Sequence, residues 1–181
     1  MADERIMAKT LATANVVHKE RYRWACGGLA GKSVLDAACG CGYGSYMLAQ
    51  AGAKSVVGVD YSEEAIQFAK QYYSHECIEY YKANIEEHLP EGDFEHIVIL
   101  ETIEHLKRPA AFLKCLVENY AGAEIVLSAP IIRTTHFNEF HLHDFDGKTG
   151  FLEFLHPFMQ ITAVKPQGPH CLLVRGTLYG H

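Results

Sequence analysis

Short apolar runs alternate with helix-forming segments along this 181-residue chain. Good helix formers fill residues 8–29 and end at a glycine pair, which predicts an N-terminal helical segment. Short apolar runs then predict five strands, at 33–37, 55–59, 77–82, 96–101 and 124–128. The segments between them predict helices at 43–51, 63–73 and 109–120. Two later runs, 158–164 and 171–178, predict a terminal hairpin.

This order of elements predicts the α/β class. Alternating strands and helices imply right-handed crossovers and a doubly wound, mostly parallel seven-stranded sheet with helices on both faces. The terminal hairpin is expected to be antiparallel. The length suits a single domain over residues 1–181. The polar and aromatic connection at 131–150 is longer than ordinary loops, and such length is typical of functional segments.

A glycine-rich turn follows the first predicted strand. The run Val34-Leu35 leads into Asp36, and glycines then recur at Gly40, Gly42 and Gly44. A strand, a tight turn and a helix start in this order let the backbone approach a nucleotide closely. Asp60 ends the second strand, about 20 residues beyond the first glycine, at the spacing of a carboxylate that binds ribose.

The glycine spacing distinguishes between two kinds of cofactor. A dinucleotide fingerprint needs Gly or Ala five positions after its first glycine, and here that position holds Ser45. Asp36 would repel a pyrophosphate but attract an ammonium group. The alternative is a structural role, in which Asp36 accepts hydrogen bonds from the amides of the turn. The pattern therefore favours S-adenosylmethionine. An oxidoreductase that uses an NAD-type dinucleotide remains the alternative.

Four segments carry a family resemblance. VLDAACGCGYG at 34–44 is similar to the first motif of the class I S-adenosylmethionine-dependent methyltransferases. The similarity continues through VVGVDYSEEAI at 56–66, KANIEEHLP at 82–90 and FEHIVILETIEHL at 94–106. Within this family the chain resembles the type 11, ubiquinone-biosynthesis-like O-methyltransferase branch. The resemblance implies a Rossmann-like fold, S-adenosyl-L-methionine as cofactor and S-adenosyl-L-homocysteine as product.

The resemblance also implies a cofactor site made by the glycine turn, the ends of later strands and the N-terminal helix. Its candidate residues are Asp36, Ala38, Gly40, Gly42, Asp60, Tyr61, Asn84, Ile85, Glu101 and Tyr22. Asp60 is expected to bind the ribose, and Asn84 and Ile85 the adenine edge. Tyr61 either packs on the adenine or is a surface residue, and Tyr22 either closes over the ligand or belongs to a packing face.

The candidate catalytic residues are His141, Glu101 and His105. The stretch Asn138–Phe145 resembles a segment of small-molecule methyltransferases that would face the methyl group, which makes His141 a candidate general base. The alternative is a hydrogen-bonded loop histidine. The pattern E-x-x-E-H at 101–105 also resembles metal-binding branches of the family. A divalent metal held by Glu101, Glu104, His105 and a later histidine, His136 or else His141, is a disfavoured alternative.

Charge and composition bear on partners and compartment. A net charge of −6 gives no basic footprint for nucleic acid, so a small-molecule methyl acceptor is favoured, while an RNA terminus stays open as a minority reading. No signal peptide and no apolar run of about 18 residues is visible, so no membrane association is expected. Six cysteines at this length favour a reduced, cytoplasmic protein. A catalytically inactive cofactor-binding partner protein is a further alternative.

Overall fold

The structure is a computed structural model that describes residues 8–180. The strands are β1 (Ser33–Ala37), β2 (Ser55–Asp60), β3 (Ile78–Lys82), β4 (His96–Leu100), β5 (Glu124–Pro130), β6 (Met159–Gln167) and β7 (Cys171–Leu178). The helices are α1 (Val16–Ala25), α2 (Tyr43–Gln50), α3 (Glu63–Tyr72), α4 (Pro109–Asn119) and α5 (Gly147–Leu155), with a short 3-10 helix at Ile103–His105.

The seven strands form one sheet in the order β3-β2-β1-β4-β5-β7-β6. Strand β1 pairs in parallel with β2 and with β4, and β2 pairs in parallel with β3. Strand β7 runs antiparallel to both β5 and β6. The predicted fold class, a mostly parallel doubly wound sheet with a terminal antiparallel hairpin, is therefore confirmed.

By internal packing the chain divides into two compact units, one that ends at Val98 and one that begins at Ile99. The first unit contains the glycine turn, and the second contains the candidate catalytic residues. That the whole chain is a single domain stays a prediction, and residues 1–7 and 181 of that predicted domain lie outside the described residues.

The N-terminal helix is shorter than the predicted segment 8–29. Helix α1 begins after Asn15, whose side chain accepts hydrogen bonds from the backbone N–H groups of Val17 and His18. Asparagine satisfies these first donors better than it fits a helix interior, so the cap fixes the start of the helix. Residues 10–14 instead form a turn that is closed by the Thr13 and Ala14 N–H groups on the Thr10 carbonyl.

The predicted connection 131–150 is interrupted by a helix that the sequence analysis missed. Helix α5 begins at Gly147, and its two glycines, at 147 and 150, lowered its apparent helix propensity. Phe151 and Leu155 lie four residues apart on one face and are fully buried. Tertiary packing of that face therefore outweighs the cost of the glycines.

Candidate active site

The glycine turn between β1 and α2 combines one position required by packing with one that faces open space. Gly40 and Gly42 adopt positive φ angles of 55° and 85°. A Cβ added at Gly42 would collide with Ala69 and with the Tyr80 hydroxyl, whereas a Cβ at Gly40 would meet no atom within 4 Å. Gly42 is therefore a requirement of the fold, while Gly40 leaves room beside the turn.

Asp60 ties the end of β2 to this turn. One carboxylate oxygen accepts a hydrogen bond from the Gly40 N–H at 3.0 Å, and the other accepts one from the Ser62 N–H at 2.9 Å. Asp60 is buried. The predicted ribose-binding carboxylate is thus held in one orientation by two backbone amides.

Asp36, at the fourth position of β1, is buried and has two side-chain partners. Its carboxylate accepts hydrogen bonds from the Ser45 hydroxyl at 2.6 Å and the Tyr22 hydroxyl at 3.1 Å. Burial raises the pKa of Asp36 to about 7, although these two hydrogen bonds oppose the shift. The structure therefore joins two predicted site residues, Tyr22 and Asp36, through a direct hydrogen bond. The sequence analysis missed Ser45, whose only signal is its place in the first turn of α2.

Tyr22 also explains the third glycine of the motif. A Cβ added at Gly44 would overlap the Tyr22 ring, so the ring lies directly against the backbone of α2. The ring of Tyr43 meets that of Tyr22 edge-on, with 5.9 Å between centroids, and the Tyr43 hydroxyl lies 2.9 Å from Nδ1 of His18. Tyr22 and His18 of α1 are therefore packed against the start of α2.

Ala38 occupies an unusual backbone conformation in the same turn. Its φ is 64°, one of two positive values among the described residues other than glycine. An alanine in this region is strained by roughly 1–2 kcal/mol. Such strain is concentrated at functional sites because the surrounding structure must hold it in place.

The remaining predicted cofactor residues of the first unit differ in exposure. Tyr61 is 68% exposed. Asn84 is exposed and starts a turn, because its side-chain oxygen accepts from the Glu86 N–H at 3.1 Å and its amide donates to Glu87 at 2.9 Å. Ile85 is buried. Asn84 and Ile85 follow β3, as predicted, but Asn84 already has a local role in shaping the turn.

Glu101, just after β4, is the other non-glycine residue with a positive φ, at 48°. Its carboxylate oxygen Oε1 accepts hydrogen bonds from the Ser128 hydroxyl at 2.7 Å and from the Cys171 thiol at 3.4 Å. Ser128 and Cys171 are both buried. Neither residue was predicted from the sequence, because they lie in β5 and β7 and no regular sequence spacing relates them to Glu101.

Three side chains of the second unit, Glu104, His105 and His141, form what we call the histidine cluster. One ligand atom from each lies within 4.8 Å of the others. The two imidazole rings meet edge to face at 4.7 Å, and Glu104 is buried. The backbone N–H of Leu142 donates to the Glu104 carbonyl at 2.8 Å, which brings the loop after β5 against the 3-10 helix.

The tautomer of His105 follows from its partner. Nδ1 of His105 lies 2.8 Å from the carbonyl oxygen of Phe140. A carbonyl only accepts, so Nδ1 carries the proton, and Nε2 is the basic nitrogen of the neutral ring. Nε2 lies 3.9 Å from Oε1 of Glu104. Two residues of the disfavoured metal set, Glu104 and His105, are in the histidine cluster. The third residue of the cluster is His141, and the cluster contains neither Glu101 nor His136.

A second carboxylate organises the loop that carries His141. Asp144 accepts hydrogen bonds from the backbone N–H groups of Thr134 and Thr135, at 2.6 and 3.1 Å, and from the Thr135 hydroxyl at 2.6 Å. These bonds, led by that of the Thr135 hydroxyl, lower the pKa of Asp144 to about 2. The Thr134 hydroxyl lies 2.6 Å from Nδ1 of His141. The sequence analysis missed both Thr134 and Asp144.

Comparison with known protein families supports the interpretation of the first site. A family model described as a methyltransferase domain matches residues 34–119. These residues belong to the methyltransferase domain family. The match includes the glycine turn, Asp60, Asn84 and the histidine-cluster residues Glu104 and His105. Among the described residues, each helix falls short of the length and apolar character that crossing a bilayer requires.

One sequence relative matches about half of the chain, over less than half of its own length, and two solved structures share the fold over most of the chain. Over 88 residues the chain is 40% identical to a ubiquinone biosynthesis O-methyltransferase from Aromatoleum aromaticum, covering 46% of this chain and 37% of that protein. The N-methyltransferase NodS from Bradyrhizobium japonicum, solved with S-adenosyl-L-homocysteine, has a TM-score of 0.74 at 19% identity, covering 91% of this chain and 88% of that one. Magnesium protoporphyrin IX methyltransferase from Synechocystis, also solved with S-adenosylhomocysteine, has a TM-score of 0.71 at 17% identity, covering 98% and 90%.

Proposed function

We propose that this chain is an S-adenosylmethionine-dependent methyltransferase that acts on an oxygen of a small molecule. The observation that carries the proposal is the glycine turn, in which Gly40 faces open space and its N–H is fixed by Asp60. The family match over this turn supports it. The relatives include both an O-methyltransferase and an N-methyltransferase, so a nitrogen acceptor is the alternative to test.

The cofactor contacts follow the predicted roles. Asp60 binds the ribose hydroxyls, Gly40 and Gly42 let the backbone approach the methionine part, and Asp36 attracts the ammonium group. Asn84 and Ile85 contact the adenine edge. Asp36 is hydrogen-bonded to Ser45 and Tyr22, so the ammonium reaches it through a water molecule or by a small movement of Tyr22.

The reaction itself makes modest demands on the protein. Methyl transfer from a sulfonium is an in-line displacement with a neutral leaving group, so no acid is needed. Alignment of the acceptor, methyl and sulfur can supply roughly 7–11 kcal/mol, and a positioned base adds about 10²–10⁴-fold. In our proposal His141 takes the acceptor proton, Glu101 orients the acceptor, and His105 supports His141 from the same cluster.

Calorimetric titration with S-adenosylhomocysteine tests cofactor binding. The wild-type chain is expected to bind it and not to bind NAD. Binding of NAD alone would overturn the proposal in favour of an oxidoreductase. Transfer of labelled methyl from S-adenosylmethionine to a component of a cell extract, identified by mass, distinguishes an enzyme from an inactive cofactor-binding partner.

His141→Gln tests the base. Label transfer by this variant is expected to fall by about 10²–10⁴-fold, while S-adenosylhomocysteine affinity stays near that of the wild type. His136→Gln is the matched control, because His136 is exposed in the same loop and its ring packs on Phe137 outside the histidine cluster. Equal activity of the two variants would remove His141 from the proposed mechanism.

The histidine cluster favours a second version of the same function. Its donor set, one buried carboxylate and two imidazoles, fits a divalent transition ion, and the Phe140 carbonyl orients the His105 ring through Nδ1. When bound, such an ion would orient an acceptor oxygen and lower its pKa. Titration with Zn²⁺ and Mn²⁺ of wild type and Glu104→Gln tests this version. The metal version requires that the wild-type chain bind one of these ions tightly and that Glu104→Gln lose this binding. Label transfer that a chelator leaves unchanged would rule out the metal version.

A further inference from the structure

We propose that Thr134 and Asp144 form a hydrogen-bonded relay that holds His141 in the tautomer with its proton on Nδ1 and its lone pair on Nε2. The proposal rests on the proposed function, in which His141 takes the acceptor proton. Thr134 and Asp144 are then positioning residues, which act on the reaction only through the imidazole of His141.

The carboxylate of Asp144 acts only as a hydrogen-bond acceptor. Its carboxylate already accepts three hydrogen bonds, from the Thr134 N–H, the Thr135 N–H and the Thr135 hydroxyl. Every one of these donors favours the ionised carboxylate, which accepts hydrogen bonds and donates none. Asp144 therefore supplies no proton to its neighbours.

The Thr134 hydroxyl has one proton and two polar neighbours, Asp144 and His141. This hydroxyl lies 3.4 Å from Oδ1 of Asp144 and 2.6 Å from Nδ1 of His141. Asp144 can only accept, so a hydroxyl that makes both hydrogen bonds must donate to Asp144 and turn its lone pair to His141. Nδ1 of His141 is then the donor of the short bond. Thr134 is buried, so solvent does not readily replace this partner.

The two imidazoles of the histidine cluster are anchored through the same nitrogen but by different kinds of partner. His105 is anchored through Nδ1 on the Phe140 carbonyl, and His141 is anchored through Nδ1 on the Thr134 hydroxyl. In both rings Nδ1 is therefore the anchored nitrogen. The His105 anchor is a backbone group that no substitution removes, whereas the His141 anchor is a side chain, so the tautomer of His141 can be changed by mutation.

Nitrogen-15 NMR of the histidine rings tests the relay in the ligand-free chain at a fixed pH near 8. Wild-type His141, assigned by the loss of its signals in His141→Gln, should show a protonated Nδ1 and an unprotonated Nε2. Thr134→Val keeps the shape of the side chain but removes the hydroxyl, so signals of the Nε2–H tautomer should appear. Thr134→Ser should restore the wild-type pattern.

Thr135→Val is the matched control. It removes a hydrogen bond of 2.6 Å from the same carboxylate but not from His141, so the tautomer should stay as in the wild type. In the extract assay, Thr134→Val should lower label transfer at least about tenfold, within the range that a positioned base supplies, and Thr134→Ser should recover most of it.

The outcomes separate the relay from the proposed function. Wild-type His141 protonated on Nε2, or a tautomer that Thr134→Val leaves unchanged, overturns the relay whatever the chain catalyses. A wild-type chain that binds no S-adenosylhomocysteine overturns the proposed function, while the NMR result still decides the relay. A broad loss of signal dispersion in Thr134→Val would leave the decision to the wild-type spectrum, in which a protonated Nε2 on His141 overturns the relay and a protonated Nδ1 supports it.

Discussion

The glycine-turn site and the histidine cluster use carboxylates in opposite ways. Asp36, beside the glycine turn, is buried, and its burial raises its pKa to about 7. Asp144, beside the histidine cluster, is exposed, and its hydrogen bonds lower its pKa to about 2. The first site is therefore shaped by backbone conformation and exclusion of water, and the second by a network of side chains that holds charge.

The two sites also differ in how the chain assembles them. The glycine turn takes most of its parts from residues 36–45, with Asp60 added from the next strand. The histidine cluster joins residues 104–105 to residues 134–144 through hydrogen bonds between distant segments. A site of the first kind is sensitive to backbone substitutions, and a site of the second kind to the loss of single polar atoms.

Gly42→Ala is expected to have the largest effect on stability, because it disturbs the backbone conformation on which the glycine-turn site depends. The added Cβ collides with Ala69 and Tyr80, in a left-handed conformation that alanine disfavours. The free energy of unfolding should fall by about 2–4 kcal/mol. Gly40→Ala, with no atom within 4 Å of its Cβ, should lose only about 1 kcal/mol. Urea unfolding of both variants measures the difference, and equal losses would contradict it.

Asp60→Ala should have the next largest effect, on cofactor affinity. The variant loses the proposed ribose contact and two backbone partners, the Gly40 and Ser62 N–H groups. A hydrogen bond to a charged group is worth about 1.5–3 kcal/mol, so the dissociation constant for S-adenosylhomocysteine should rise by roughly ten- to a hundredfold. Calorimetry provides the measurement. Asp93→Ala, at an exposed position, is the control that should leave affinity unchanged.

The opposite pKa shifts predict opposite pH dependences of stability. Between pH 3.8 and about 7 the folded chain holds a proton on Asp36 that the unfolded chain releases. This contribution therefore weakens as pH rises through that window, by at most about 1.4 kcal/mol per pH unit. For Asp144 the unfolded chain holds the extra proton, so its stabilisation is present above pH 3.8 and is lost as pH falls towards about 2.

Urea unfolding across this pH range separates the two carboxylates. Asp36→Asn should flatten the decline in stability towards neutral pH, and Asp144→Asn should weaken the loss of stability in acid. Identical pH profiles for wild type and Asp36→Asn would show that burial of this carboxyl does not govern the first site.

Ala38→Gly should have the smallest effect and the opposite sign. Glycine adopts the φ of 64° without strain, although it also increases the freedom of the unfolded chain. The net gain in stability should be about 0.5–1 kcal/mol, measured by urea unfolding. Ala37→Gly, in the adjoining residue of β1, is the control and should be destabilising.

The contrast between the sites also explains what the sequence could reveal. The fold, the glycine turn and Asp60 were predictable because each depends on local spacing along the chain. Glu104, His105 and His141 were named in advance, but the sequence left open whether His136 or His141 joins the two residues of the 3-10 helix. Spacing does not show which histidine of the loop joins the cluster, because that depends on the contact between the Thr134 hydroxyl and His141.

Other residues were hidden for related reasons. Ser128 and Cys171 reach Glu101 from other strands of the sheet, and no periodicity relates such positions. Helix α5 was missed because Gly147 and Gly150 mask a buried face that only the folded chain reveals. Local patterns therefore predicted the parts of the site made by the backbone, and missed those made by tertiary contacts.

The two amides that hold Asp60 have a consequence for the thermodynamics of binding. A carboxylate that already accepts from Gly40 and Ser62 occupies one rotamer before any ligand arrives. It still has lone pairs to offer a ribose diol, since an ionised carboxylate has about four acceptor positions. Ligand binding then loses little conformational entropy at this side chain. In the proposed function the turn is a rigid receptor for the sugar, and the other residues of the site provide its adaptability.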